Sequence, residues 1–202
     1  CADEIAPYAQ EIDEAGARFE SGRVVLPERV DRIFEKLTDL GAHGLCVPRE
    51  VGGLNCPLLS YMLASEMVAR ADASVMTHYA FHAGIAMALL VYSVVEGSTT
   101  FEPEDGRMRD TRFREAIEEI IAGEAFGSMD ITEPGAGSDM ASLKCLATLG
   151  EDGTWRLSGE KIFISSGHGK YHVVIARTEQ ASNSDDPFAG LKGLSLFLVR
   201  LF

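Results

Sequence analysis

The spacing of apolar residues changes character beyond the middle of the chain. Up to about residue 125 they recur at helical intervals. Ile5 to Phe19 carries a weakly amphipathic pattern. Pro27 suits the first turn of a second helix, whose Val30, Ile33, Phe34, Leu37 and Leu40 fall three or four apart until Gly41 ends it. A turn-rich connector, AHGLCVPREVGGLNCP, follows. Pro57 can open a third helix with Leu59, Met62, Leu63 and Met67 on one face. A fourth starts at Asp72 or Ala73 and stays apolar nearly all round through Val95, the pattern of a central helix. Glu96 to Asp110 is acidic and polar and predicts a surface loop or partial disorder. A short helix with Phe113, Ile117, Ile120 and Ile121 facing inward then stops at Gly123.

From Phe126 the period becomes two. FGSMDIT, SLKCLATL, TWRLSG, KIFIS, YHVVIART and GLSLFLVRLF are short and mostly alternating, with turn signals such as EDGT between them. Helices followed by strands predict an α+β fold: an all-helical N-terminal domain over residues 1–125, then an antiparallel, barrel-like β-domain over residues 126–202. There is no internal repeat. The chain opens on Cys1 and stops on an alternating apolar stretch, so a longer polypeptide is expected, with a removed targeting segment as one option.

Composition narrows the function classes. With 46% hydrophobic residues the chain can bury a real core. A net charge of -13, from 18 basic and 31 acidic residues, disfavours nucleic acid and anionic membrane surfaces. The longest apolar run, Ala83 to Val95, falls short of the roughly 20 residues of a bilayer crossing, so a buried helix and no membrane insertion are expected. Cys1, Cys46, Cys56 and Cys145 form no CxxC pair, which supports neither a zinc-knuckle nor a thioredoxin-like site and predicts buried free thiols in a reducing compartment.

ITEPGAGSD, residues 131–139, places two glycines, a proline, hydroxyls and carboxylates at the end of a predicted strand. The third glycine of a dinucleotide fingerprint is missing, since Met140 stands there and β-rich sequence follows, and no GK[ST] exists. What remains is a turn whose glycines let backbone N–H groups approach a ligand, with hydroxyls from Thr132 and Ser138; an ordinary proline-glycine turn has the same composition. His78 and His82 lie four apart on a helix but lack a third ligand nearby, so they read as core or pocket histidines and no metal site is assigned. His168 and His172 share that spacing without the helix that would bring them together. Asp130, Glu133, Asp139 and Glu160 read as turn-forming or solvated carboxylates.

A second segment, LSGEKIFISSG, residues 157–167, makes the pattern specific. TEPGAGSD, SLK, W-x-L-x-GEKIFIS-x-G, VVIAR and KG-x-SLFLV, in this order over about seventy residues, resemble the middle domain of acyl-CoA dehydrogenases, which are FAD enzymes. LGAHGLCVPREVGGLN and SEMVARADASV resemble the family's helical domain more loosely. The resemblance implies that FAD lies along Met129 to Ser138, with Met129, Ile131, Thr132, Gly137 and Ser138 as contacts, and against Phe163, Ile164 and Ser165. Ser138 would also touch the acyl-CoA substrate. On the predicted KIFIS strand Phe163 and Ser165 share one face, with Ile162 and Ile164 turned the other way into the core; Met129 and Ile131 likewise share a face, with Asp130 opposite.

The implied reaction is an α,β-dehydrogenation to a trans-2-enoyl-CoA, with hydride passing to flavin N5 and electrons leaving through an electron-transfer flavoprotein. The implied catalytic carboxylate belongs to a C-terminal helical bundle outside these 202 residues, so the general base is unassigned. Alternatives are an acyl-CoA oxidase or, should the natural chain end near residue 202, a non-catalytic binding module. The resemblance further implies a homodimer or homotetramer, cytoplasmic in a bacterium and in the mitochondrial matrix in a eukaryote. Phe163 stands where many members carry Trp and Ser165 where Thr is commoner. Asp130 is unusual in mid-strand, and the acidic loop replaces a Gly-x-x-x-Gln-Lys helix start, which leaves chain-length preference open.

Overall fold

The computed structural model describes residues 1–179 and 189–201. They form two compact units, Cys1–Gly127 and Ser128–Phe202.

The first unit is helical with two small hairpins. After a 3-10 turn at Ala6–Tyr8, α1 (Ala9–Ala15) ends at Gly16, whose φ of +58° turns the chain out of the helix. The expected continuation to Phe19 is therefore broken. Instead β1 (Arg18–Glu20) and β2 (Arg23–Val25) pair antiparallel across Ser21 and Gly22, both at positive φ, the geometry a two-residue hairpin loop requires. In α2 (Glu28–Asp39), Val30, Ile33 and Phe34 are buried, the i, i+3, i+4 stripe read from the sequence. Each contributes roughly 1.5–3 kcal/mol on burial.

α3 (Leu58–Ala71) buries Val68, whereas Leu59, Met62, Leu63 and Met67 are 52–67% exposed, so the apolar face read from the sequence looks outward. Asp72 caps α4 (Ala73–Val95) by accepting a 2.9 Å hydrogen bond from the Val75 amide. At 23 residues α4 is long and apolar enough to cross a membrane by length and composition alone. Its Val75, Tyr79, His82, Ile85, Ala86 and Leu89 are buried in the unit, as in the core helix of a globular domain. The acidic segment expected as a loop folds back on itself as β3 (Thr100–Phe101) and β4 (Met108–Asp110). α5 (Arg114–Ile121) buries Ile117, Ile120 and Ile121 and stops before Gly123, at φ +74°.

The second unit is a five-stranded sheet built on β5 (Gly127–Asp130), β6 (Leu146–Leu149), β7 (Trp155–Ser158), β8 (Tyr171–Arg177) and β9 (Leu194–Arg200). β8 is its hub: it pairs β5, β6 and β9, and six of its seven residues are buried. The α+β class holds, with two refinements. β6 and β8 run parallel, pairing Leu146 with Arg177, beside the antiparallel β6–β7 and β8–β9 pairs, and the sheet does not close into a barrel among the described residues. KIFIS is not a strand. Phe163 sits at φ +57° and Ser166 at +58°, which breaks the alternation; Ile162 N donates to Thr132 O at 2.9 Å, and no other backbone amide in KIFIS finds a backbone acceptor among the described residues. The last residue of the predicted final strand, Phe202, lies outside the described residues.

Candidate cofactor site

β5 alternates as its sequence requires. Ser128 and Asp130 are buried and point to one side, and Met129, half-buried, points to the other. Beyond the strand the chain turns at Glu133–Ala136, closed by Glu133 N to Ala136 O at 2.9 Å and Ala136 N to Glu133 O at 3.1 Å. Neither Gly135 nor Gly137 has a positive φ; a Cβ at either would meet nothing within 4 Å. These glycines therefore serve open approach to the backbone rather than a special dihedral.

Ile162 N donates to Thr132 O at 2.9 Å, and Lys161 Nζ donates to Ile131 O at 2.8 Å, which brings the turn and the KIFIS segment side by side. An ion pair locks the junction: Lys161 Nζ lies 2.8 Å from Glu133 Oε1, with the two side chains 10% and 6% exposed. Glu133 also accepts from Lys144 N at 2.6 Å and Cys145 N at 3.0 Å. Burial raises the affinity of the Glu133 carboxyl for a proton, but the Lys161 ammonium and these amides outweigh it and hold the pKa at about 2. Glu133 is thus a buried, turn-forming carboxylate rather than a solvated one, the first of the two expectations for it.

Behind the turn, Arg177 is buried and donates to four carbonyls. Nε reaches Leu143 O at 2.6 Å, Nη2 reaches Ala141 O at 2.5 Å and Gly190 O at 2.6 Å, and Nη1 reaches Lys192 O at 3.3 Å. It ties the exit of the GSD turn to the segment preceding β9.

The residues left uncommitted are the sequence candidates. Among the described residues the hydroxyls of Thr132, Ser138 and Ser165 take part in no hydrogen bond, and the Gly137 and Ser138 amides have no backbone acceptor. Phe163 holds a ring 88% exposed on a left-handed backbone. Such strain costs an L-residue roughly 1–2 kcal/mol, and it concentrates at ligand sites. Ile164 and Ser165 are half-buried beside it. Ile131 departs from expectation: its side chain packs on the core cluster of Ala136, Leu143 and Ile175, so only its backbone borders the turn. Free hydroxyl and amide donors, small residues opening outward and an exposed aromatic ring fit the polar edge and flat face of a flavin.

Sequence reasoning missed Lys161, Arg177, Ser128 and His172. Asp130 gave the one usable signal, a carboxylate in mid-strand. In the helical unit, His78 and His82 stand in an aromatic cluster, with ring centroids 4.4 Å and 3.9 Å from Phe126. Burial of the neighbouring His43 lowers its pKa to about 4, against a smaller opposing effect of the Phe34 backbone.

A helical unit followed by a sheet unit is the domain order of the family whose models match this chain. Residues 1–95 match the acyl-CoA dehydrogenase N-terminal domain and residues 128–201 match the middle domain, and the chain belongs to the acyl-CoA dehydrogenase family. It is 35% identical to 3-methylmercaptopropionyl-CoA dehydrogenase of Ruegeria pomeroyi, over 98% of this chain and 31% of that protein. It is 27% identical to the mitochondrial 2-methylacyl-CoA dehydrogenase of Solanum tuberosum, over 98% of this chain and 40% of that protein. Its fold matches acyl-CoA dehydrogenase complexed with FAD from Bacillus anthracis, with a TM-score of 0.69 at 24% identity over 98% of this chain and 29% of that one. The chain thus spans about a third to two fifths of the length of these relatives.

Proposed function

We propose that the protein containing this chain binds FAD on the 129–138 and 163–165 segments and dehydrogenates an acyl-CoA thioester. The observation that carries this reading is the junction of the two segments through Lys161, Ile162, Thr132 and Glu133, beside which the hydroxyls of Thr132, Ser138 and Ser165 make no hydrogen bond among the described residues. Bound there, FAD would supply the hydride acceptor, its N5, for conversion of the acyl-CoA to a trans-2-enoyl-CoA.

Thr132 and the Gly137 and Ser138 amides would hold the flavin's polar edge, oriented donors that need no reorganisation when charge develops there. Phe163 would cover the ring face, and Ser165 would donate from the same segment. Ser138, at the open side of the turn, would meet the thioester end of the substrate. No general base is assigned from this chain.

The names of the two sequence relatives point to short or branched acyl groups as first substrates to try. An electron-transfer flavoprotein is the proposed acceptor and a homodimer or homotetramer the proposed assembly. The compartment would follow the source: cytoplasm in a bacterium, mitochondrial matrix in a eukaryote.

The test is titration of the intact protein with FAD, then anaerobic addition of a panel of short and branched acyl-CoA thioesters. Bleaching of the flavin band by at least one thioester, with the matching enoyl-CoA as product, is expected. A protein that takes up no FAD ends the proposal. Rapid reoxidation by oxygen after bleaching would favour an oxidase.

A further inference from the structure

The unusual mid-strand carboxylate, Asp130, belongs to a buried network. Ser128 Oγ donates to Asp130 Oδ1 at 2.7 Å, His172 Nδ1 lies 2.9 Å from Asp130 Oδ2 and 2.9 Å from Ser128 Oγ, and His172 Nε2 lies 2.9 Å from Gly169 O. All three side chains are buried. The combination of residue types suggests a nucleophile relay, but the geometry rules one out. Serine and carboxylate meet the same ring nitrogen, and Ser128 is 0% exposed, with no access for a substrate.

Hydrogen-bond accounting fixes the proton count. Gly169 O only accepts, so Nε2 carries a hydrogen. Ser128 spends its one hydrogen on Asp130 and can only accept from the ring, and an ionised Asp130 only accepts. With Asp130 as a carboxylate the contacts are all satisfied when Nδ1 also carries a hydrogen, an arrangement that places one proton between β8 and β5. The hydrogen bond to Asp130, opposed by burial, raises the His172 pKa above its ordinary value.

Asp130 is the acid facing His172 from β5. On β9 its register partner is Val199, while Arg200 lies opposite Tyr171, with its guanidinium 6.0 Å from that ring. The Lys170 ammonium is 5.4 Å from the same ring, and half-buried His168 lies in the turn before it. β6 meets β8 only at Arg177, the far end of the strand.

We propose that Ser128, Asp130 and His172 form a one-proton clamp that positions the two cofactor-facing segments against each other. This rests on the flavin reading given above. Asp130 lies between Met129 and the 131–138 turn, and Gly169 closes the turn that begins after Ser165, so His172 grips one segment through its carboxylate and the other through its carbonyl. Removing one member of a buried charge pair strands the other, whereas a neutral amide pair keeps the shape without the proton.

The test uses the intact protein and its variants Asp130→Asn, His172→Gln and the double variant, with Ser128→Ala as the mildest change should a charge variant fail to fold. FAD dissociation constants and the visible circular dichroism of bound flavin are measured from pH 6 to 9. Each single variant is expected to weaken FAD binding about tenfold at pH 6.5, the value of one lost charge-assisted hydrogen bond. Wild type is expected to weaken as pH rises through the His172 titration, with that step moved to lower pH in Asp130→Asn and absent in the double variant. Ser128→Ala is expected to move the step while keeping it. Wild type that binds FAD with no pH step, or single variants that keep both affinity and step, overturns the clamp alone. Wild type that binds no FAD overturns the site reading and the positioning role with it.

Discussion

Lys161 and Glu133, 28 residues apart in sequence, meet at 2.8 Å in a buried ion pair that fastens the KIFIS segment to the TEPGAGSD turn. Lys161→Met removes the cation and leaves the Glu133 carboxylate buried on two backbone amides. Breaking a buried pair from one side costs about 3–5 kcal/mol, and a loss of that size is expected in denaturant unfolding. Lys161→Met/Glu133→Gln should recover part of it. A loss below about 1 kcal/mol in the single variant, the range of exposed pairs, would show the pair to be solvent-weakened.

Acid should unfold the sheet unit through Glu133. Its folded pKa of about 2 lies below the ordinary 4.5, so between these values the unfolded chain binds a proton that the folded chain does not. The stabilisation is complete above about pH 4.5 and is lost as pH falls toward 2, on the order of 3 kcal/mol in all. Glu133→Gln should flatten the stability profile over that window, as read by urea midpoints from pH 5 to 2.

His43 sets an earlier acid limit on the helical unit. Buried neutral, with a folded pKa of about 4 against an ordinary 6.5, it contributes stability that is complete above pH 6.5 and is lost as pH falls toward 4. His43→Phe should remove that slope, and circular dichroism melts from pH 7 to 4 would detect it. A slope unchanged in the variant would assign the acid sensitivity to other groups.

Phe163 should separate folding from binding. Glycine at this left-handed position relieves backbone strain while adding freedom to the unfolded chain, so Phe163→Gly should shift stability by less than about 1 kcal/mol. Loss of the exposed ring should nonetheless weaken FAD binding about tenfold, as expected for an aromatic contact. Phe163→Trp should retain it. Equal affinity in the glycine variant would remove Phe163 from the site.

Arg177 holds four carbonyls with one guanidinium, and Arg177→Met leaves them without that donor. A stability loss of about 3 kcal/mol is expected, together with faster amide exchange at Leu143–Cys145 and Gly190–Lys192. Hydrogen exchange confined to other regions would contradict the role given to it.

What the sequence disclosed follows from physics that acts locally. The i, i+3, i+4 stripe of Val30, Ile33 and Phe34 and the start of α4 at Asp72 or Ala73 are written within one or two turns of chain, and both were legible. Motif order singles out the hydroxyls of Thr132, Ser138 and Ser165 as candidates. Hidden from it were the ion pairs, because Glu133 and Lys161, or Asp130 and His172, are partners across 28 and 42 residues and leave no periodic trace. KIFIS misled for the opposite reason. Its alternation is that of a strand, but a ladder also needs a partner edge; among the described residues only Ile162 of the five donates a backbone bond of that kind, to Thr132. The β1–β2 hairpin was overlooked because three-residue strands carry too little pattern, although Ser21-Gly22 had the turn chemistry.

The outward row of Leu59, Met62, Leu63 and Met67 on α3 has a practical side for anyone preparing the protein. A greasy stripe of this kind left bare in buffer sticks to itself, to resins and to plastic, even when every other part of the polypeptide is correctly folded. A recombinant preparation of these 202 residues is therefore expected to self-associate through this row, and poor yield from it would say nothing about coenzyme or chemistry.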